Sequence, residues 1–328
     1  MIAFEPPPFR PHWWVRGGHL QTIASLKRPT QEVPPTTEHV VDVSDGDAIV
    51  VHETAPVDGS TSRDESVVLI HGLSGCHQSP YMVRMAIGFA AQGWSVYRVD
   101  MRGCGSAFRL ACQLSHAGRS ADVAAALDFV ARRRPSDRLS AAGVSLGGNQ
   151  LLRLVGRIGA GVESTPTWFE RLDRIAVVAP PIDLVRCSEN MQRLSRRPYS
   201  SYFIRNLFER MPPGVQERGD FRALARHRRP STLYELDDQW TAPLSGFEGA
   251  DHYYRESGAA GVCGENPVET LVLAADDDPI VPIACFDRSD WPEKTRVIRM
   301  STGGHVGYIA RGRQSWMDRC VAAWLNRL

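Results

Sequence analysis

Short apolar runs with no polar alternation, each followed by a helical stretch, constrain this 328-residue chain more than any other feature. Val67-Val68-Leu69-Ile70 is the clearest of them, ended by His71-Gly72. A strand that is apolar at every position has to bury both faces, which points to a parallel sheet covered on both sides by helices. The stretch from Tyr81 to Gln92 predicts a helix with Gly93 at its carboxyl end, and Trp94 to Val99 the next strand. The pattern repeats: a helix from Ser120 to Arg134 stopped by Pro135, a strand from Leu139 to Val144, a helix from Gly148 to Ile158, and a strand from Arg174 to Ala179 ended by Pro180-Pro181. Strands from Thr270 to Ala275 and Thr295 to Met300 and a helix from Arg313 to Leu328 close the chain. Strands alternating with helices imply right-handed crossovers and a mostly parallel sheet. Val40 to Val43 and Ala48 to His52, separated by Ser-Asp-Gly-Asp, read instead as an antiparallel hairpin.

Two stretches break this rhythm. Residues 1–35 are rich in Pro and aromatic residues and lack periodicity, so they read as an irregular arm that needs the main body to pack against. The interval from about Ile182 to Asn266 is too long for a plain connection. Ser201 to Arg210 and Asp220 to His227 look helical within it, which suggests a helical cap inserted between two strands. A cap over the carboxyl ends of the strands would shape a pocket, because ligands of open α/β sheets bind at that edge. The whole of residues 1–328 reads as a single domain.

Between a predicted strand and a predicted helix lies Gly143-Val144-Ser145-Leu146-Gly147, a G-x-S-x-G motif. The turn needed there strains the serine backbone, and the glycines remove side chains that would clash. The hydroxyl then stands clear at the top of the sheet, above a helix N-terminus. A serine hydroxyl is a poor nucleophile near neutral pH, so a base has to take its proton. In chain order an acid and a histidine should follow. Asp276-Asp277-Asp278-Pro279-Ile280-Val281-Pro282 follows one late strand, and Gly303-Gly304-His305-Val306-Gly307 follows the last. His305 is the candidate base. Asp278 is the favoured acid, because the Pro-Ile-Val-Pro turn after it would fix its direction; Asp277 is the second choice.

Negative charge developing on a carbonyl oxygen needs fixed N–H donors. The backbone N–H of Leu146 should be one. The N–H of Leu73, in the loop His71-Gly72-Leu73-Ser74-Gly75, is the nominee for the other. His71 reads as a brace of that loop rather than as a base.

These residues resemble those of the α/β-hydrolases of the YheT type, related to eukaryotic hydrolases active on esters and phospholipids. Gly18-His19-Leu20-Gln21-Thr22, His71-Gly72-Leu73-Ser74-Gly75 with Ser79-Pro80-Tyr81, and Asp237-Asp238-Gln239-Trp240-Thr241-Ala242-Pro243 with Tyr253-Tyr254 extend the likeness over nearly the whole chain. Asp100 departs from it, since Asn is more usual there. The resemblance implies the α/β-hydrolase fold and carboxylic-ester hydrolysis without a cofactor or metal, and leaves the substrate open. Transfer of the acyl group to an alcohol is one alternative, and a non-catalytic binding protein on a hydrolase scaffold another. The arm signature has two readings: His19 and Gln21 either line the pocket or anchor the arm.

Composition sets limits on partners. The net charge of +1 gives no global attraction to nucleic acid. The partner expected is a small ester or lipid, with no obligate protein. Eleven arginines lie between Arg186 and Arg229 against four carboxylates. The plain reading is an amphipathic cap with a solvated basic face; the sharper one is peripheral contact of this basic cap with an anionic membrane surface or a phosphorylated substrate. The seven cysteines include no C-x-x-C pair and read as reduced thiols. With neither a membrane-length apolar run nor a signal-peptide layout at the start, the expected location is cytoplasmic.

Overall fold

The computed structural model describes residues 4–27, 32–57, 63–226, 228–288, 290–311 and 315–327. Eight strands form one sheet: β1 (Thr36–Asp42), β2 (Ala48–Thr54), β3 (Glu65–Ile70), β4 (Ser95–Asp100), β5 (Arg138–Val144), β6 (Leu172–Val178), β7 (Glu269–Ala275) and β8 (Thr295–Met300). Their order across the sheet is β1-β2-β4-β3-β5-β6-β7-β8. The hairpin β1–β2 is antiparallel and β2 meets β4 antiparallel; every pairing from β4 through β8 is parallel. This is the mostly parallel sheet that the apolar runs imply, in the arrangement expected from the resemblance to α/β-hydrolases.

The two-residue period of a strand sorts its side chains into two layers. Val68 and Ile70 of β3 and Val272 and Ala274 of β7 enter one core, with Val123, Leu127 and Val130 of α3 (Ser120–Arg133) and Leu151 and Val155 of α4 (Leu146–Gly159). Val67 and Leu69, and Leu271 and Leu273, enter the other. There they meet Met82, Met85 and Phe89 of α2 (Pro80–Ala91) and the C-terminal helix Trp316–Leu325. Residues 67 to 70 are fully buried, each contributing roughly 1.5–3 kcal/mol relative to exposure. The C-terminal helix falls inside the expected span; residues 313, 314 and 328 of that expectation lie outside the described residues. Gly93 follows α2 with φ 86°, the left-handed conformation its position demands.

Two local expectations change. The arm is not wholly irregular: Gly18–Ala24 forms α1, too short for a sequence period to reveal. Phe4 is buried edge-on against Trp324, and Trp316 Nε1 donates to the Pro7 carbonyl. The helix predicted from Gly148 starts two residues earlier, at Leu146, directly after the serine.

Between β6 and β7 the chain runs through helices α5 (Leu184–Gln192) and α6 (Arg197–Glu209), several shorter ones, and a helix at Ala250–Ser257. The predicted helix from Asp220 is observed as Gly219–Leu224, and its expected end, His227, lies outside the described residues. Met211, Val215, Leu236, Trp240 and Leu244 of the insert form a small core together with Leu114 of the main body. All seven cysteines are free thiols, four of them buried.

Candidate active site

Ser145 sits between β5 and α4 with φ 52° and ψ −120°, a conformation that costs a non-glycine residue free energy. Its N–H donates to the Val178 carbonyl at 2.8 Å, which pins the turn to the neighbouring strand. The glycines on either side are sterically required. A Cβ on Gly143 would lie 2.6 Å from the Gly147 carbonyl oxygen, and one on Gly147 would lie 2.5 Å from that of His71.

His305 follows β8 in a loop where Gly304, Val306 and Tyr308 all have positive φ. Its Nε2 is 2.9 Å from Ser145 Oγ, and its Nδ1 is 2.9 Å from Asp278 Oδ2. The other oxygen of Asp278 accepts from the N–H groups of Ile280 (2.7 Å) and Val281 (3.0 Å). The turn after the aspartate therefore aims the carboxylate, as the proline spacing implied. His305 and Asp278 are both buried.

The three consecutive aspartates separate cleanly by their contacts. Asp276 pairs with Arg299 at the surface. Asp277, the alternative acid, points away from the imidazole: it accepts from Thr302 Oγ1 and from the N–H groups of Gly303 and Gly304. It shapes the histidine loop without touching the ring. Only Asp278 of the three reaches His305.

On the other side of Ser145 lies the loop after β3. Gly72 approaches so closely that an added Cβ would be 3.0 Å from Ser145 Cβ. The Gly72 N–H donates to Tyr81 Oη at 2.9 Å, and burial pushes the Tyr81 phenol up to about 12. His71 is a brace, as expected. Its Nδ1 donates to the Gly72 carbonyl at 2.7 Å and its Nε2 accepts from the Met101 N–H at 3.2 Å. Burial lowers its pKa, which favours the neutral ring that this pattern requires. The N–H groups of Leu73 and Leu146 have no acceptor among the described residues. Both residues line one cavity of about 420 Å³, walled otherwise by Phe108 and Leu114 and by Leu207 and Met211 of the insert. The lining stops at Leu146, the residue next to Ser145. Arg210 Nη1 donates to the Ser74 carbonyl at 2.9 Å and holds the insert on this loop.

Sequence reasoning missed how the arm serves the histidine loop. Thr22 Oγ1 accepts from the His305 N–H at 2.8 Å and donates to the Gly18 carbonyl at 2.7 Å. Gln21 is fully buried, accepts from the Ile309 N–H at 2.6 Å and donates to the Val15 carbonyl at 2.8 Å. A Cβ on Gly18 would collide with the Asp277 carbonyl oxygen at 1.7 Å. The arm signature thus anchors, and what it anchors is the loop carrying His305. His19 is exposed and bonds to Tyr199 Oη and Arg196 of the insert. Tyr253 and Tyr254 also have structural partners, the Ala117 N–H and Asp237.

A second carboxylate–imidazole cluster lies at the end of β4. Asp100 Oδ2 accepts from His52 Nε2 (3.0 Å), His77 Nδ1 (2.7 Å) and the Ser106 N–H (2.7 Å), and Oδ1 accepts from the His77 N–H (2.5 Å). Burial alone would raise this carboxyl, but the bonds from both imidazoles hold it well below the usual carboxylate range. Among the described residues these three side chains are the ones whose ligand atoms gather as a metal would need. The nitrogens that face Asp100 are instead spent on its carboxylate.

A strained serine between β5 and α4, with an acid and a histidine after later strands of a parallel sheet, is an arrangement that comparison can test. The model of the alpha/beta hydrolase fold family matches residues 65–311. The chain belongs to this family. As an alpha/beta hydrolase it is 26% identical to the protein YheT of Escherichia coli over 320 residues, covering 94% of this chain and 90% of that one. It is 24% identical to the medium-chain fatty acid ethyl ester synthase/esterase 2 of Saccharomyces cerevisiae over 286 residues, covering 80% of this chain and 62% of that protein. The solved esterase Pf2001 of Pyrococcus furiosus superposes with a TM-score of 0.56 at 14% identity, covering 99% of both chains, and so shares the fold. Relatives of this alpha/beta hydrolase thus carry esterase-type names.

Proposed function

We propose that this chain is a serine hydrolase that cleaves carboxylic esters through an acyl-enzyme on Ser145. The observation that carries the reading is the unbroken run of contacts from Asp278 through His305 to Ser145 Oγ, each link 2.9 Å. In this mechanism His305 Nε2 takes the hydroxyl proton as Oγ attacks the ester carbonyl. Asp278 keeps the proton of the other ring nitrogen on Nδ1 and stabilises the imidazolium. The free N–H groups of Leu73 and Leu146 receive the negative charge on the carbonyl oxygen. His305 then protonates the leaving alcohol, and water, activated by the same nitrogen, releases the acid.

The cavity beside Leu73 and Leu146 is lined mainly by apolar side chains, which suits a hydrophobic acyl or lipid substrate. Two arms of one experiment test the proposal. Wild type should turn over short p-nitrophenyl esters and react with a fluorophosphonate probe. Ser145→Ala should lose both, turnover falling by on the order of 10⁴-fold or more. Labelling that persists in the variant would show that another residue is the nucleophile.

A second reading keeps the acyl-enzyme and replaces water by an alcohol. It is favoured by one observation, the yeast relative whose name joins ester synthase to esterase. Adding ethanol to the ester assay separates the two: an ethyl ester product in excess of free acid supports transfer, and free acid alone supports hydrolysis.

A further inference from the structure

Twelve large hydrophobic side chains are exposed among the described residues, and they are not scattered evenly. Five of them, Trp13, Trp14, Leu20, Ile23 and Leu26, fall between residues 13 and 27, and Leu194 of the insert is the most exposed of all at 72%. Leu20 and Ile23 stand three residues apart on α1 and so share a face, with Leu26 one further step of three beyond. The Trp13 and Trp14 rings lie 4.2 Å apart, 57% and 69% exposed. The arm and the insert meet here: the His19 ring stacks on Tyr199, with Nδ1 2.9 Å from its hydroxyl, and Arg196 reaches His19 Nε2 at 2.8 Å. Leu194 is two residues before that arginine.

Charge separates this apolar face from an ordinary protein-binding surface. Residues 13–27 contain Arg16 and Lys27 and no carboxylate, and residues 191–208 contain four arginines and no carboxylate, in a chain whose net charge is only +1. Arg193 and Arg197 are exposed and form no ion pair among the described residues. Exposed indole rings, aliphatic side chains and unpaired cations, carried by two segments that meet at His19, are what the boundary between lipid head groups and acyl chains accommodates. Each cation near an anionic leaflet contributes about 1 kcal/mol.

We infer that the arm and the start of the insert form a docking face for an anionic lipid surface. The sequence pointed to the basic insert alone; in the folded chain the apolar contribution comes chiefly from the arm. The position also matters. The helix that carries Leu20 and Ile23 is the one whose Thr22 bonds to the His305 backbone, so a docked protein holds its histidine loop close to the membrane plane. Docking needs no chemistry, so its test is independent of the proposed hydrolysis.

The test is flotation of the full chain with phosphatidylcholine vesicles with and without phosphatidylglycerol, at low and high salt. Wild type and Ser145→Ala should both float with the phosphatidylglycerol vesicles and partition at least about tenfold less into neutral vesicles or in high salt. The double variant Trp13→Ser/Trp14→Ser should lose about tenfold in partitioning while turning over a short soluble ester as wild type does. Should that variant fail to fold, Arg193→Glu/Arg197→Glu on the exposed insert reads the same face, with an equal or larger loss expected. Wild type that stays with the soluble fraction overturns the inference, as does undiminished binding by folded variants. A dimer in sedimentation velocity that the tryptophan variant dissolves, without vesicle binding, assigns the face to a second copy and overturns it as well.

Discussion

Two buried aspartates in this molecule hold imidazoles at similar distances, yet only one of the two clusters also holds a serine hydroxyl. Asp278, after β7, meets one nitrogen of His305, and the other nitrogen of that ring meets a serine hydroxyl. Asp100, at the end of β4, meets two histidines and two backbone N–H groups, and among the described residues no serine hydroxyl bonds to either ring. An Asp–His pair is therefore no signature of catalysis. What distinguishes the first cluster is the serine hydroxyl on the far nitrogen of its ring, held within reach by a strained backbone and flanking glycines. In the second cluster the same groups fasten loops: His52 comes from β2, His77 from the segment before α2, and Ser106 from the connection after β4.

The contrast gives its largest effects when each carboxylate is neutralised. Asp278→Asn should cost on the order of 10⁴ in kcat, about 5.5 kcal/mol of barrier, because the amide can present an N–H to Nδ1 and favour the wrong tautomer. Folding stability should change much less, and kinetics on a short ester beside a urea melt would record both. Asp100→Asn should reverse the pattern. An amide has one acceptor oxygen where the carboxylate has two, so donors among His52, His77 and Ser106 lose their partner, at about 3 kcal/mol of stability. Turnover by the folded fraction should stay within a few-fold of wild type. A collapse of kcat in Asp100→Asn without loss of stability would break the distinction between the clusters.

Acid sharpens it further. The pKa of Asp100 is lowered in the folded protein, so its contribution to stability is complete above the ordinary carboxylate value of about 4 and is lost as pH falls through the folded value. The stability difference between wild type and Asp100→Asn should accordingly shrink below about pH 4. Asp237 should act in the opposite sense. Burial pushes it up to about 6, so it favours the folded state while protonated and opposes it as pH rises from about 4 through 6. Asp237→Asn should gain stability relative to wild type between pH 5 and 8, by about 2 kcal/mol after the altered bond to Tyr254 is allowed for. Urea melts across that range would record the gain, and a difference independent of pH would remove the carboxyl from the account.

The Ser145 half of the contrast was far more legible in the sequence than the Asp100 half. Ser145 announces itself because a tight strand-to-helix turn admits few residues besides glycine on either side. Asp278 could be favoured over its neighbours because prolines fix the turn that follows it. The sheet was legible because Val67 to Ile70 is buried on both faces and carries no polar residue, and the other strands are short β-prone runs set between helical stretches. The Asp100 cluster joins residues 48 apart on separate strands, and Thr22 meets His305 across 283 positions. No local periodicity encodes such pairings. The arm looked irregular because its one helix spans barely two turns and much of its burial, Phe4 and Gln21 above all, is against the C-terminal part of the chain. Gly18-His19-Leu20-Gln21-Thr22 was visible as a motif, but its role follows only from contacts that folding creates.

That arm also supplies the smallest and most discriminating prediction. Thr22 touches neither Ser145 nor the imidazole; it reaches the site through the backbone of His305. Thr22→Val keeps the side-chain shape but removes the acceptor for the His305 N–H and the donor to the Gly18 carbonyl. One buried hydrogen bond of this kind is worth about 1 kcal/mol, so a misplaced ring should cost about fivefold in kcat. KM should hold, because Thr22 is not among the residues that line the cavity beside Leu73 and Leu146. Thr22→Ser retains the hydroxyl and should restore kcat, whereas a purely structural role predicts equal destabilisation by Val and Ser with kcat of the folded enzyme unchanged. Rescue by Ser would place Thr22 within the positioning of His305; its absence would reduce Thr22 to packing and leave the histidine loop to be ordered by Asp277 and Gln21.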